Sequence, residues 1–316
     1  MKKMILALAA GLIVTVAPAA AEPITITGDA AIKYQRDSAD GEAATSGSVF
    51  TIKLKGEADL GSGWSLYTRL AAQKVSDSAL SDFNLSPSVY GEDKKWVVAF
   101  DQFGVNYKQG NLAYKLGRQD VAVGTSALLY SRPDSNIGKK AFVDGLSVAG
   151  TIGALDISAV AAREDNADDE PENKLYAIRA GYNPAESFNY GVTLGRYSSE
   201  DSTNHWAVDG TYKLGKSHIT AEYTKSSSNT KNTAYAVGVG HDFDDKVSAS
   251  ITGFRVEEFG SMGQQSDFDY DNRGIHYSLG YALNDRAALE LVYKDQKTIS
   301  ERKNNQSFEA TISYAF

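Results

Sequence analysis

The four imidazoles of the chain, His205, His218, His241 and His276, show no close pair with metal-ligand spacing. Cysteine is absent, which removes thiolate metal sites, iron–sulfur ligation, thiol nucleophiles and disulfides together. No Gly-x-Ser-x-Gly elbow and no phosphate-binding loop occurs. Asp267, Asp269 and Asp271 imitate the opening of a calcium loop. However, Asn272 stands where the loop needs glycine and Ser278 where it needs a bidentate glutamate. The run Glu164, Asp165, Asp168, Asp169, Glu170 and Glu172 is expected to be a solvated loop. These residues point away from an enzyme, and no cofactor or metal is expected. With 32 basic against 40 acidic side chains, net −8, the chain also lacks the basic face a nucleic-acid binder needs.

The elements that carry these residues have one period. Residues 1–21 are set apart as an export leader: Met1-Lys2-Lys3, an apolar stretch from Met4 to Val16, Pro18, then Ala19-Ala20-Ala21. Residues 22–316 form one domain in which apolar or aromatic side chains recur at every second position, as strands require. Phe308, Ala310, Ile312, Tyr314 and Phe316 alternate with Glu309, Thr311, Ser313 and Ala315, for example. Sixteen such segments run from 24–36 to 306–316. Their connections alternate short and long. Gly61-Ser62-Gly63, Gln109-Gly110-Asn111 and Asp244-Asp245 are short, whereas 37–47, 75–94, 120–139, 165–173 and 257–270 are long. A soluble sandwich has no reason to gather its tight turns at one end. A sixteen-stranded antiparallel transmembrane β-barrel with short periplasmic turns and longer extracellular loops does. Only closure avoids an unpaired edge in hydrocarbon. Trp64, Tyr107, Tyr182, Phe188, Tyr212, Phe243, Tyr281, Tyr314 and Phe316 cluster at the short-turn ends on the apolar parity, where an interfacial girdle would lie.

The opposite parity is the lumen. It receives Lys33, Lys53, Lys55, Glu57, Asp59, Arg69, Lys115, Arg179, Asp209, Lys213, Glu222, Glu290, Lys294 and Glu309. A barrel of this width is not filled by side chains, so water enters and charged walls bias which ions pass. Strict alternation from Leu116 puts Arg118 outward, so Arg118 reaches the pore only through a bulge or an early strand end. In the fourth segment Trp96, Val98 and Phe100 share one parity and Phe103, Val105 and Tyr107 the other, which predicts a bulge near Asp101-Gln102.

The leader, the sixteen segments and the terminal Phe316 resemble the Gram-negative general porins. Lys115-Leu116-Gly117-Arg118-Gln119 looks like the porin strand that leads into the loop folding into the pore, and Phe142-Val143-Asp144-Gly145-Leu146 like the strand that follows. The acidic Pro-Glu-Phe-Gly-Gly turn of enterobacterial porin loops is absent from 120–139. The resemblance implies a water-filled channel for passive diffusion of ions and small hydrophilic solutes. It also implies a homotrimer in contact with outer-membrane lipid and lipopolysaccharide. Phe308, Ile312, Tyr314 and Phe316 would be the signal read by the barrel assembly machinery. A basic wall of Lys33, Lys53, Lys55, Arg69 and Arg118 would face a loop bearing Asp120, Arg132 and Asp134, with Arg179 also lining the pore, and would set ion preference more than the outer loops do. A substrate-specific channel of the same fold and a non-conducting structural or adhesive barrel are the alternatives.

The terminal strand supplies a first test. Deleting Phe316 is expected to lower the amount of chain in the outer membrane and raise it in the periplasm, measured by fractionation and immunoblot. Wild-type membrane levels would refute the assembly role.

Overall fold

The computed structural model describes residues 24–76, 95–165 and 173–316. The expected leader, most of the loop 75–94, and the acidic residues 168–172 lie outside the described residues.

The first wall strands are β1 (Thr25–Ala39), β2 (Thr45–Gly61), β3 (Trp64–Val75), β4 (Trp96–Gln109) and β5 (Leu112–Gln119). A short hairpin, β6 (Val121–Val123) and β7 (Tyr130–Arg132), interrupts the wall order. The wall resumes with β8 (Val143–Ile152), β9 (Leu155–Glu164), β10 (Lys174–Ala185), β11 (Phe188–Ser198) and β12 (Ser202–Leu214). It ends with β13 (Ser217–Ser226), β14 (Thr233–Asp242), β15 (Val247–Val256), β16 (Asn272–Ala282), β17 (Ala287–Thr298) and β18 (Asn304–Ala315). Leaving out β6 and β7, sixteen strands close into one antiparallel barrel, each paired with its sequence neighbour and β1 with β18. The seam is tied at its end by reciprocal main-chain bonds between Gly28 and Phe316, both 2.9 Å.

Register and pleat sort the side chains as the alternation requires. Ile32, Phe50, Leu116, Leu194 and Ile312 are exposed on the outer wall, whereas Gln35, Arg69 and Thr193 are buried within. The bulge predicted in β4 is present. Arg69 pairs with Gln102 but Leu70 with Phe100, so Asp101 is the extra residue and both flanking apolar sets face outward. The turn-side aromatics stand exposed on the outer wall except Tyr107, which is half-buried with Trp64 stacked on it at 4.3 Å.

The barrel's buried apolar groups belong to what lies inside it. Leu129 and Tyr130 of the β6–β7 hairpin pack with Val160, Leu175, Ala177 and Ala207 on the inner face of β9–β12. Leu128 packs with Ala234, Ala236, Phe254 and Val256 on β14 and β15. On the other side Ile137 meets Val49, Ala71, Val75 and Val97 on β2–β4. The segment 120–142 therefore arches across the lumen with an apolar foot at each end.

A second connection enters the barrel. Residues 257–270 were expected to be a surface loop, but Met262 is fully buried against Leu129, Tyr130 and Tyr197. The Met262 amide donates to the Leu129 carbonyl at 2.8 Å, and the Ser131 amide to that of Gln265 at 3.2 Å. Phe268 joins the Leu128 cluster. The physical reason is the burial of Met262 and Phe268 on the first loop, whereas Phe259 and Tyr270 of the same stretch stay exposed.

Arg69 is the hub of one foot of the arch. Replacing Arg69 by Ala leaves Asp101 as a buried unpaired carboxylate, a loss of about 3–5 kcal/mol. The expected outcome is faster tryptic cleavage within 120–142 and a lower melting temperature. Wild-type proteolysis would show that the clamp does not hold the loop.

Candidate functional site

The site is assembled where the arch meets the wall. Arg69 on β3 is 1% exposed and donates to both carboxylate oxygens of Asp101 at 2.8 Å. It also donates to the main-chain carbonyls of Asp134 and Asn136, both 2.7 Å, and to Asp134 Oδ1 at 3.1 Å. Such fork geometry fixes direction as well as charge. The bulge at Asp101 places its carboxylate under the guanidinium, and the Gly138 amide of the loop donates to that carboxylate at 3.0 Å.

Neighbouring cations extend this clamp into a ladder. Lys55 Nζ lies 3.1 Å and Lys53 Nζ 3.5 Å from Asp134 Oδ2. Lys53 also reaches Asp29 on β1 at 3.3 Å. Around the wall, Lys33 on β1 and Lys294 on β17 share Glu309 of β18 at 3.2 and 2.7 Å. Burial alone would raise the Asp134 carboxyl. The hydrogen bond from Lys55 and the fields of Arg69 and Lys53 more than offset it and hold the group below its ordinary value. A depressed carboxylate keeps its clamp fully above the ordinary carboxylate pKa and loses it as pH falls through the lowered one.

Water reaches part of this ladder. The Lys55 side chain is 47% exposed and that of Asp134 35%. Among the described residues, no buried apolar side chain lies on β1, β16, β17 or β18, so the apolar feet of the arch rest on other strands, while the polar Gln35, Asn272 and Gln296 are buried there. The charged strip is the inner face of β17, β18, β1 and β2 beside the arch, where Lys55 and Asp134 are part-exposed. Four lysines, Lys294, Lys33, Lys53 and Lys55, stand along it in ion pairs with three carboxylates, Glu309, Asp29 and Asp134, while the Arg69–Asp101 pair is sealed behind them.

The residues singled out in sequence divide accordingly. Lys33, Lys53, Lys55 and Asp134 come together on the strip. Asp120 pairs with Lys115 at 3.1 Å at the start of the arch. Arg179 on β10 is bound to Asp209 and faces a cavity of about 170 Å³ beneath β6, also lined by Asp120 and Ser147. Three arginines are elsewhere than expected. Arg69 is a buried clamp rather than a wetted wall charge. Arg132 is buried too, bound to Glu164 at 3.0 Å and to the Phe142 carbonyl at 2.9 Å. Arg118 keeps strict alternation and faces outward, because the carboxylates of Asp144 and Asp165 meet it there at 2.8 and 3.0 Å. Glu164, expected in a solvated run, is itself buried between Arg132 and Tyr130.

Sequence reasoning missed one further anchor of the arch. Glu222 on β13 is 2% exposed and accepts from the Ser126 amide at 2.7 Å. Gly124, at φ +94°, makes room for that carboxylate: a Cβ there would lie 2.0 Å from Glu222 Oε1. An acid on the lumen parity and a glycine in the loop were both visible, but their meeting depends on where the arch lands.

A family model for Gram-negative porins matches residues 7–300. The chain superimposes on an engineered variant of the Rhodopseudomonas blastica porin with a TM-score of 0.60 at 10% identity, covering 93% of this chain and 100% of that one. A loop-deleted form of OmpT, an outer-membrane protein of Vibrio cholerae, gives 0.59 at 12% identity with the same coverage. No curated protein matches the chain. The family match, the closed sixteen-stranded wall and the charged strip beside an inward loop have one reading: the chain belongs to the Gram-negative porin family and forms an outer-membrane channel for passive diffusion.

Proposed function

We propose that the channel selects small hydrophilic solutes at the strip between the 120–142 arch and the inner wall of β17, β18, β1 and β2, with a preference for anions. The observation that carries this is the pair of neighbouring clusters in which four wall lysines, Lys294, Lys33, Lys53 and Lys55, form ion pairs with three carboxylates, Glu309, Asp29 and Asp134. Charges at a narrow passage sit close to each ion. Charges on a wide mouth act across water and fade beyond a Debye length of about 8 Å. Lys55 is the most solvent-reachable of the ladder lysines and therefore the leading selectivity residue.

The same reading covers assembly. Residues 1–21 act as a leader removed on export, and Phe308, Ile312, Tyr314 and Phe316 act as the assembly signal. The working unit is a homotrimer. The outward Arg118–Asp144 pair supports a protein neighbour on that wall. It sits beside the exposed Phe103 and Leu146, and an ion pair is costly in hydrocarbon.

Two measurements test these assignments. Replacing Lys33, Lys53 and Lys55 together by Ser is expected to move the zero-current potential in a salt gradient toward cation preference in planar bilayers. Arg69 is left in place so that the arch stays clamped. An unmoved potential would place selectivity elsewhere. Arg118→Glu sets two acids against each other across β5 and β8 and is expected to convert the unheated oligomer band to a folded monomer band. An unchanged oligomer would exclude this wall from the subunit contact.

A further inference from the structure

A second space opens across the lumen from the lysine strip. Counted round the wall, β11 is the eighth strand from β1 in either direction, so the inner face of β11 and β12 stands opposite the strip. At the extracellular end of that face the loop 257–264 forms one side of a cavity of about 640 Å³. Tyr197, Thr203 and His205 of the wall form the other. The loop is fitted to this place. Met262 anchors it to the arch. Gly263 takes a left-handed φ of +59° and lies on the Tyr197 ring, where a Cβ would come within 2.3 Å. Phe259 is 39% exposed, and its ring lines the cavity.

The lining is layered by polarity. Among the described residues, no lysine or arginine lines the cavity, so nothing there answers an anion. The acids stand at the rim. Glu200 and Asp201 are exposed, and Glu258 is paired with Lys231 at 2.8 Å. Rim charges act through water and are screened. Deeper in, neutral groups take over. His205 is 4% exposed and Ser261 3%. His205 Nε2 is engaged with Thr203 Oγ1 at 3.0 Å, but His205 Nδ1 and Ser261 Oγ have no hydrogen-bond partner among the described residues. A buried polar group without a partner costs free energy that a hydrogen-bonding occupant recovers.

We infer that this cavity is a binding site for a neutral saccharide of about disaccharide size, set to one side of the conduction path. Three features select that occupant. The volume falls within the roughly 300–1,000 Å³ of small-molecule pockets. The exposed face of Phe259 gives the flat apolar side of a sugar ring a surface to stack on. Asn173, Ser228, Gln264, His205 and Ser261 supply donors and acceptors without net charge, and sugar hydroxyls, each donor and acceptor at once, can use both. An organic cation would gain only the screened rim acids and leave the neutral floor unpartnered. Because Ser261 adjoins Met262, an occupied cavity also holds the loop on the arch. The site faces the lysine strip across the lumen, so it stands whether or not that strip sets ion preference.

The test is isothermal titration calorimetry of the purified full chain in detergent. Maltose, sucrose and N,N′-diacetylchitobiose are the neutral probes and putrescine the cationic one. At least one disaccharide is expected to bind saturably, and putrescine not to bind. Phe259→Ala and His205→Ala are each expected to weaken the disaccharide about tenfold, as loss of a ring contact or of a buried polar partner predicts. Glu200→Gln with Asp201→Asn is expected to keep it within about threefold, because exposed charges contribute little. Folding is checked by unheated gel mobility. Should His205→Ala not fold, the exposed Phe259→Ala decides. In planar bilayers a saturating dose of the bound sugar is expected to leave the channel open, without full closures. Failure of all three disaccharides to bind overturns the proposal, as does binding that Phe259→Ala leaves unchanged. Putrescine binding abolished by the rim variant would make this a cation site instead. Full closures that grow more frequent with sugar would put the sugar in the passage and overturn the off-path placement.

Discussion

Hydrocarbon offers no hydrogen-bond partner, so every peptide group of the wall has to find one inside the wall. Pairing of β1 with β18 meets that requirement for what would otherwise be two open edges. From it follow the even strand count and the strict division of side chains into an outer apolar and an inner polar set. The wide lumen follows as well, because sixteen strands enclose more space than their own inward side chains fill. What occupies that space is a folding problem separate from the wall, and the chain solves it with an arch.

The arch is held by two kinds of force acting at different places. Apolar feet at Ile137 and at Leu128–Leu129 supply non-directional adhesion to opposite walls. Charged clamps at Arg69, Arg132 and Glu222 supply direction, each binding main-chain groups of the loop as well as side chains. Burying such ions is expensive unless every one is paired, and breaking a pair leaves the other partner exposed to that expense. The clamps therefore specify one position of the arch more than they stabilise the barrel.

The wall was legible in the sequence and the arch was not, for a physical reason. Period-two alternation, tight turns and the bulge at Asp101 are local, and each is written in consecutive residues. Even Arg118 obeyed simple alternation. Its partner Asp144 sits on the same outward parity of the next wall strand, so register alone explains a cation outside. By contrast, Arg69 and Lys55 share one lumen-facing pattern, yet one is sealed in a clamp and the other wetted. That difference is decided by where Asp134 lands, some 65 residues along the chain from Arg69. The docking of Met262 was missed for the same reason. One methionine among several apolar and aromatic side chains of a loop is a faint signal until its receptor, formed by Leu129 and Tyr197, exists.

The contact between the two inward loops has a consequence for how this surface can change over time. Segments displayed outside a cell are ordinarily free to drift under pressure from antibodies and phages, because they bear no mechanical duty. Residues 260–268 are not free in that sense, since Met262 and Phe268 help to seat the arch that narrows the channel. Change at Met262 or Phe268 disturbs the seat of the arch, so the outer face of this loop and the position of the arch are tied to the same few residues. Variation in this lineage should then collect in the tips between other strands, such as 227–232 and 299–303, which carry none of the arch's apolar anchors.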